Sequence, residues 1–476
     1  MISRSFCGML VMLTAWFAAA DQNNFTEAEA GAIKTFLHDN FRTMNACIVI
    51  GLADGNGNST FSAGTMDNGT TGEVNGDTVF FIGSVSKTFT ALLLQDMVER
   101  GEVKLDDPVR MYLPKSVRMP THGGKEITLL DLATHAAGFP MNPGNMTGPN
   151  AKAQYENYTV EKMYAYLSGY TLSRDPGTEF EYSNVGMALL GHALARKAGT
   201  NFESLVVNRI CRPLQMDNTC VTLTPELKTR LAMGHDVFGQ REPPWKFQAY
   251  SPAGDIHSTA NDLLKYTATE AGITQSSLSS ATAKTHGIRY QDSRGMPGTP
   301  TSFFGRTAMD WADRNAFQPA GMELLAHAGG AGSFHAFVGF DEKQRRGVVV
   351  LSTANDLSVE AIGWTVLQRL PLTKDSLTEF AREIVGLGFA FDIDKATHTL
   401  RVLKVYPKSP ASHAGLLAGL IIQKIEDVPT AGKTVPECQV LLRANDRPKV
   451  RLELIDPERR FTNTVEVSRG KFVTAG

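Results

Sequence analysis

The spacing of apolar positions first becomes regular near residue 26, and there it predicts a helix. Ile33, Phe36, Leu37 and Phe41 recur at helical spacing, so they share one face. A capping pattern at 26–29 precedes them and marks where the helix begins. We therefore expect an amphipathic helix that packs onto a core through its apolar face.

Extended apolar runs then occur at both ends of the following region. The runs 47–53 and 60–63 lie on either side of the turn residues 55–58, a pattern typical of a hairpin. Two further runs, 334–340 and 347–352, are separated by a polar turn, and a helical pattern follows them. Because the stretch between is richer in helical patterns, the sequence predicts an α+β fold. Its antiparallel sheet takes strands from both chain ends, is flanked by helices and carries an inserted helical lobe.

The pattern changes again at about residue 382. Short β-type runs at 400–405, 421–425 and 450–454 alternate there with turns marked by glycine and proline. We expect a large domain at 21–375 and a small β-rich domain at 382–470.

The first twenty residues differ from the rest of the chain. A positive residue, Arg4, precedes an uncharged and largely apolar run at 6–20 that ends in three alanines. This predicts a signal peptide at 1–20 and an exported protein, either periplasmic or secreted. An uncleaved membrane anchor is the alternative, but the run is short for a hydrocarbon core of about 30 Å. After signal cleavage we expect no transmembrane span.

Composition and charge narrow the class of partner. The chain has 476 residues and a formal net charge of -2, and it contains no block of five or more like charges. Nothing therefore marks a nucleic-acid groove or a polybasic membrane patch. We expect a small-molecule or peptide substrate and no nucleic-acid partner.

The cysteines leave one question open. Cys211 and Cys220 flank a turn-like stretch, and in an oxidising compartment a disulfide could close this loop. The spacing leaves the bridge and two free thiols equally open. No cysteine after residue 20 has the spacing of a zinc site, so no metal site is predicted.

The segment 80–94 carries the first candidate for chemistry. It passes from a strand-like run into a helix-like one, with Ser84 near the helix start and Lys87 three residues later on the same face. A lysine that is kept neutral can take the proton of a serine hydroxyl and so create a nucleophile. The same spacing arises wherever a serine caps a helix beside a solvated lysine, so this pair alone predicts little.

Two later segments supply possible partners. Tyr182 could hold or relay a proton as a phenolate-type partner of Lys87, and the Asn184 amide could hydrogen-bond a substrate amide. His327 stands in a run of small residues directly before the strand at 334–340. Each also has an ordinary interpretation, Tyr182 as a packing residue and His327 as a structural histidine.

The order of these three motifs resembles the serine penicillin-recognising enzymes of class C β-lactamase type, over about residues 25–372. Further segments are similar to landmarks of that family and occur in its order, namely 101–114, 127–140 and 252–263. The resemblance implies a β-lactamase/transpeptidase-like fold and a serine hydrolase that forms an acyl-enzyme. It implies no metal and no organic cofactor.

The resemblance also assigns roles. It implies that Ser84 attacks a carbonyl, that Lys87 and Tyr182 manage its proton, and that Asn184 orients the substrate. It also implies that His327, Ala328 and Gly329 line the substrate strand. The oxyanion hole that it implies is formed by the N–H groups of Ser84 and Gly330.

The third motif departs from the family pattern. Typical class C β-lactamases have a motif resembling Lys-Thr-Gly at this point, whereas this chain has His327-Ala328-Gly329. A histidine is largely neutral near pH 7, so we expect poor β-lactam turnover. Histidine here resembles D-aminopeptidase and esterase relatives, which keeps β-lactams, D-amino-acid peptides and small esters open as substrates. The alternative function is a non-catalytic sensor that binds penicillin or peptide without turnover.

The C-terminal region resembles a PDZ domain of the bacterial protease-associated kind, over about 384–469. The resemblance rests on the loop Gly386-Leu387-Gly388-Phe389 and on the segment 409–416. It implies that this loop presents backbone N–H groups to the C-terminal carboxylate of a peptide. A PDZ-like fold that binds no peptide is the alternative.

Overall fold

The chain divides into two compact units in a computed structural model, one formed mainly by residues before 374 and the other mainly by residues after 373. The structure describes residues 24–41, 46–235, 240–242, 244–292, 305–313, 322–354 and 358–373 of the first part. In the second part it describes 382–387, 389–394, 397, 399–405, 409–433, 438, 441–442, 449–457, 461–468 and 470–474. The predicted signal peptide at 1–20 lies outside the described residues. No helix among those described is long and apolar enough to cross a membrane.

The larger unit combines strands with helices along its whole length. Its helices are α1 Glu27–Phe41, α2 Ser86–Glu99, α3 Leu129–Ala133, α4 Ala151–Glu156, α5 Val160–Gly169, α6 Asn184–Lys197, α7 Phe202–Val206, α8 Pro225–Thr229, α9 Ser251–Gly254, α10 Ala260–Glu270, α11 Ser279–Thr285 and α12 Val359–Leu367. Its strands are β1 Cys47–Asp54, β2 Gly57–Gly64, β3 Val79–Phe81, β4 Thr121–His122, β5 Lys125–Glu126, β6 Gly234–His235, β7 Arg241–Glu242, β8 His257–Thr259, β9 Tyr290–Asp292, β10 Gly305–Thr307, β11 Ala312–Asp313, β12 Leu324–Ala331, β13 Phe334–Asp341 and β14 Arg346–Ser352.

Within the part of the chain that the structure describes, the main sheet has eight strands in the order β2-β1-β14-β13-β12-β11-β10-β9. Its described pairings are antiparallel, and Ile48 of β1 lies opposite Ser352 of β14. Because these two strands come from opposite ends of the unit, the predicted sheet built from both chain ends is confirmed. The predicted helix at the start is confirmed as α1, and its four apolar positions are buried.

Helices cover both faces of the central strands. A Cβ on Gly51 of β1 would touch Leu264 of α10, whereas a Cβ on Gly363 of α12 would touch Phe337 of β13. Successive residues of a strand point to opposite faces of the sheet. Ala336 and Val338, the neighbours of Phe337 along β13, belong to the core that includes α10, so Phe337 points to the other face. The two helices therefore lie on opposite faces, which is why every residue of β1 and β14 is buried.

Cys211 and Cys220 are free thiols in the structure, so the possible disulfide between them is not formed. Backbone hydrogen bonds close the loop instead. The Met216 N–H donates to the Cys211 carbonyl at 2.8 Å, and Cys220 exchanges two backbone hydrogen bonds with His257 at 3.0 and 2.8 Å. The turn is thus held by main-chain groups.

The smaller unit is rich in strands, and its described residues include a short helix, α13 Pro410–His413. Its strands are β15 Arg382–Gly386, β16 Phe389–Ile393, β17 Leu400–Val405, β18 Ile421–Ile425, β19 Val428–Pro429, β20 Lys449–Asp456, β21 Phe461–Ser468 and β22 Gly470–Thr474. One sheet runs β16-β17-β18-β20-β21, with β19 paired to β18, and β15 pairs with β22. Apolar residues of these strands form a separate core around Val402, Ile422 and Leu452.

Candidate active site

Ser84 stands in a single 3-10 turn, Gly83–Val85, between β3 and α2. The turn is held in place because β3 pairs with β8 and because the Ile82 N–H donates to the Ile256 carbonyl at 3.0 Å. Gly83 has a φ of 52°, in the left-handed region that favours glycine. The result is a half-buried serine presented at the start of a buried helix.

Lys87 lies directly below that serine, fully buried. Its Nζ is 2.7 Å from Ser84 Oγ and 2.6 Å from the carbonyl oxygen of Ala253. Burial lowers the pKa of Lys87 to about 7, although the negative charge of Asp310 opposes this effect. Near neutral pH a large fraction of this lysine is therefore an uncharged amine that can accept a proton.

The ring of Tyr182 packs over the same ammonium group. Lys87 Nζ lies 5.0 Å from the ring centroid, and the ring also contacts His135, at 4.5 Å between centroids. Burial and the charge of Asp310 raise the pKa of Tyr182 well above 10, while a hydrogen bond with Ser84 opposes them. Tyr182 is thus a neutral phenol at pH 7, and the suggested phenolate is disfavoured.

A buried cluster that the sequence did not reveal lies beneath these three residues. Asp310 Oδ1 is 2.7 Å from His135 Nε2, and Asp310 Oδ2 is 3.2 Å from His327 Nε2. The three side chains are completely inaccessible to solvent. His135 belongs to one of the segments that carry the family resemblance, but nothing there singled out its side chain. Asp310 lies in a stretch without any signature.

The residues of the third motif take different positions along β12. His327 is buried against Asp310, and its side chain does not line the cleft. A Cβ on Gly329 would lie 2.1 Å from the Ile82 carbonyl oxygen and 2.8 Å from the Ser84 nitrogen. Only glycine therefore lets this strand lie against the serine turn. Ala328 is half-buried and lies opposite Phe337, and Gly330 lines the cleft.

The cleft above Ser84 has a volume of about 430 Å³. One part of its wall is aromatic and is formed by Tyr155, Trp245, Phe247 and Tyr250. These rings contact one another, with centroids 4.7 Å apart for Tyr155 and Phe247. The opening is therefore flanked by flat apolar surface on one side and by the Gly330 end of β12 on another.

Asn184 joins a polar part of the same wall. Its Nδ2 lies 3.2 Å from both Asn142 Oδ1 and the Tyr155 hydroxyl oxygen, while that hydroxyl donates to Asn142 Oδ1 at 3.1 Å. These three hydrogen bonds form a closed triangle. The amide is therefore held in one orientation at the edge of the cleft, within the set of residues that surrounds Ser84.

The structure thus brings Ser84, Lys87, Tyr182 and Asn184 together, with Gly330 beside them. It also shows, among the described residues, no group of three or more His, Cys, Asp or Glu side chains placed to hold a metal ion.

The predicted carboxylate-binding loop lies in the smaller unit, where Gly386 ends β15 and Phe389 begins β16. The Leu387 carbonyl accepts a hydrogen bond from the Ala411 N–H at 2.8 Å, which fixes the loop to α13. Gly388 lies outside the described residues. In the described part of this sheet, β16 is a terminal strand.

Known proteins resemble this chain in sequence. A family model described as Beta-lactamase matches residues 37–370. The D-alanyl-D-alanine-carboxypeptidase/endopeptidase AmpH of Escherichia coli is 34% identical over 191 residues, which are 40% of this chain and 48% of AmpH. The alignment thus spans about half of that protein's length. A β-lactamase of Pseudomonas fluorescens is 27% identical over 326 residues, covering 63% of this chain and 87% of that protein.

Solved structures share the fold of the larger unit. A β-lactamase/D-alanine carboxypeptidase from Yersinia pestis, complexed with citrate, superposes with a TM-score of 0.61 at 23% identity, over 71% of this chain and 97% of that one. A class C β-lactamase from Rhodobacter sphaeroides gives a TM-score of 0.59 at 24% identity, over 74% and 99% of the two chains.

Proposed function

This chain belongs to the β-lactamase family, and from that premise we propose that it is a serine hydrolase acting through an acyl-enzyme at Ser84. One observation carries the proposal. The Nζ of a fully buried lysine, whose pKa burial lowers to about 7, lies 2.7 Å from the hydroxyl oxygen of Ser84. A base with a pKa near the working pH and in hydrogen-bond reach of a hydroxyl is what nucleophilic catalysis requires.

The reaction starts with neutral Lys87. Its amine takes the Ser84 proton as Oγ attacks the substrate carbonyl, and the N–H groups of Ser84 and Gly330 receive the resulting oxyanion. As the tetrahedral intermediate collapses, the proton passes from Lys87 to the leaving nitrogen or oxygen. Water then attacks the acyl-enzyme by the same steps in reverse, which releases the acid and restores Ser84 Oγ–H.

Tyr182 acts in this scheme as a neutral hydroxyl. Because its pKa is raised by burial and by Asp310, it keeps its proton at neutral pH. It can donate that proton to the leaving group while it accepts one from Lys87, so that no net charge is created on the ring. Asn184 holds the substrate amide from the polar wall.

The substrate class is amides and esters whose carbonyl reaches Ser84, namely β-lactams, D-amino-acid peptides and small esters. The names of the relatives point to the first two. Small esters remain candidate substrates because the histidine of the third motif resembles the D-aminopeptidase and esterase pattern. We further propose that residues 1–20 direct export, which N-terminal sequencing of the mature protein would test.

A panel of substrates tests the proposed hydrolase. Wild type should hydrolyse at least one of a chromogenic cephalosporin, a short-chain nitrophenyl ester and a D-alanyl peptide, and Ser84→Ala should hydrolyse none. If the two proteins have equal rates with every substrate, Ser84 is not the nucleophile.

Labelled penicillin distinguishes a hydrolase from a sensor, because a hydrolase sheds the label and a sensor retains it.

A second function is supported by the terminal position of β16 in its sheet. We propose that the smaller unit has a PDZ-like fold and binds the C-terminus of a peptide next to the 386–389 loop. A peptide there would add a strand beside β16, with its carboxylate at the loop N–H groups. Fluorescently labelled peptides that differ only by C-terminal amidation provide the test. Equal binding of the free and amidated forms would rule out carboxylate capture.

A further inference from the structure

We infer that Asp310 is a positioning residue of this active site. Its buried carboxylate accepts a hydrogen bond from neutral His135 with one oxygen and lies 3.2 Å from His327 with the other, and its charge acts on the protonation of Lys87. The inference rests on the proposed role of Lys87 as the base. It differs from the sequence-based expectation, which took residue 327 to be a largely neutral histidine facing the substrate.

The hydrogen bonds of His135 define one neutral tautomer. Its Nδ1 accepts the backbone N–H of Ser183 at 3.1 Å, so Nδ1 carries no proton. The proton is then on Nε2, which donates to Asp310 Oδ1 at 2.7 Å. Burial lowers the pKa of His135, although Asp310 opposes the effect, and this agrees with a neutral ring.

Both ring nitrogens of His327 lie close to oxygen atoms. Its Nδ1 lies 2.7 Å from the carbonyl oxygen of Ala328 and donates to it, because a carbonyl oxygen can only accept. Its Nε2 lies 3.2 Å from Asp310 Oδ2. The second oxygen of the carboxylate is therefore in contact with His327, as the first is with His135.

The two histidines determine the charge of Asp310. Burial alone would raise its pKa, but the charge of His327 and the hydrogen bonds from the two histidines lower it below the usual value. The carboxylate therefore stays ionised although it is inaccessible to solvent. A buried carboxylate persists in this form only when it is paired and hydrogen-bonded.

Asp310 acts on the active site by charge and by packing. Its charge favours the protonated forms of Lys87 and Tyr182, and it opposes the effect of burial on the lysine. Through His135 it also supports the ring of Tyr182, which covers Lys87 Nζ. The titratable groups that face it come from several elements: Lys87 on α2, His135 after α3, Tyr182 before α6, Tyr266 on α10 and His327 on β12.

The sign of the effect is fixed by this geometry. A negative charge near an amine stabilises the ammonium form, so removing it makes Lys87 easier to deprotonate. The rate of a reaction that needs neutral Lys87 falls as pH drops through the lysine pKa. In Asp310→Asn this acid limb should therefore appear at a lower pH than in wild type.

The test compares kcat and KM of Asp310→Asn and wild type from pH 5 to 9, with the ester or lactam that wild type hydrolyses. We expect the acid limb of kcat/KM to move down by about half a pH unit or more, and kcat to fall about tenfold with a smaller change in KM. The matched control is Glu270→Gln, another completely buried carboxylate bonded to a histidine. It should leave the acid limb where it is. An active Asp310→Asn enzyme with an unmoved limb would overturn the inference.

A second measurement requires neither the variant nor activity. Nitrogen-15 NMR of full-length protein labelled at its 11 histidines, with His135→Gln to identify one signal, reads the protonation of His135 directly. At pH 7.5 its Nε2 should carry a proton and its Nδ1 should carry none. A proton on Nδ1 would contradict the inference even if Ser84 proves to be acylated, whereas absence of acylation would contradict only the proposed function and leave this readout valid.

Discussion

Among the described residues of the larger unit, two clusters each join histidine to a buried carboxylate, and they are built in opposite ways. In the first, one carboxylate, Asp310, lies between two imidazoles. In the second, one imidazole lies between two carboxylates, with His286 Nε2 2.7 Å from Glu270 and its Nδ1 3.4 Å from Glu342. Although burial opposes it, hydrogen bonds to these carboxylates raise the pKa of His286 to about 9.

The first cluster lies near a group that can exchange a proton at neutral pH, whereas the second only holds a charge. His286 packs against the aromatic rings of Phe340 and Trp311 and stays protonated at neutral pH. Asp310, by contrast, acts on Lys87, whose pKa of about 7 leaves it divided between both forms. Burial of a histidine beside a carboxylate therefore does not define an active site. What defines it is a neighbouring group that titrates at the working pH.

The largest expected effect comes from replacing the titrating group itself. Lys87→Arg keeps a positive charge but cannot supply a neutral amine, so kcat should fall by about 10²–10⁴-fold. Initial-rate measurements on the best substrate check this value. Glu270→Gln, in the second cluster, should stay within about twofold of wild type. A Lys87→Arg enzyme within tenfold of wild type would mean that both clusters are structural.

The next effect tests the backbone beside the first cluster instead of its charges. Gly329→Ala places a Cβ 2.1 Å from the Ile82 carbonyl, so β12 or the serine turn must shift. A displacement of about 1 Å can cost about 100-fold in rate, and we expect kcat/KM to fall by that order. The control is Gly31→Ala on α1, where nothing lies within 4 Å of the added Cβ. Equal activity of the two variants would contradict the close contact of β12 with Ser84.

A smaller effect is the pH dependence of wild type. If neutral Lys87 is the base, as proposed, its pKa of about 7 means that kcat/KM should rise from acid to neutral pH and fall about tenfold per unit below that value. The measurement is a pH–rate profile at constant ionic strength. A limb near pH 4 to 5 would instead indicate a carboxylate base and remove the distinction between the clusters.

The smallest effect concerns stability in the second cluster. The folded-state pKa of His286 is raised from 6.5 to about 9, so its stabilisation is complete below pH 6.5 and is lost as pH rises through 9. Glu270→Gln should therefore be less stable than wild type at pH 6 by about 1–2 kcal/mol more than at pH 9.5, since Glu342 remains. Urea unfolding followed by tryptophan fluorescence reports this unit, because no tryptophan lies after Trp364. A gap that does not change with pH would contradict the ion pair.

Local patterns predicted much of the fold. The apolar spacing of α1 and the runs that became β1, β13 and β14 were sufficient, because each strand and helix carries its own period. The close approach of Ser84 and Lys87 followed in the same way from their positions in one helical turn.

The buried cluster could not be predicted in this way. His135 and Asp310 are 175 residues apart, and their contact depends on how a loop after α3 meets the main sheet. The orientation of the His327 side chain could not be predicted either. Both faces of β12 are buried at its start, so the alternation of residues along the strand does not indicate which side faces the cleft. The thiols of Cys211 and Cys220 had a suitable spacing, but pairing depends on tertiary geometry that spacing does not contain.

Intact-mass spectrometry after acid quench detects acylation of Ser84 itself. Wild-type protein mixed with a penicillin or a nitrophenyl ester at pH 7.5 should gain the mass of one acyl group within the first turnover. Peptide mapping should place that group on Ser84, and Ser84→Ala should gain no mass. Equal labelling of the two proteins, or an adduct at another residue, would contradict the account.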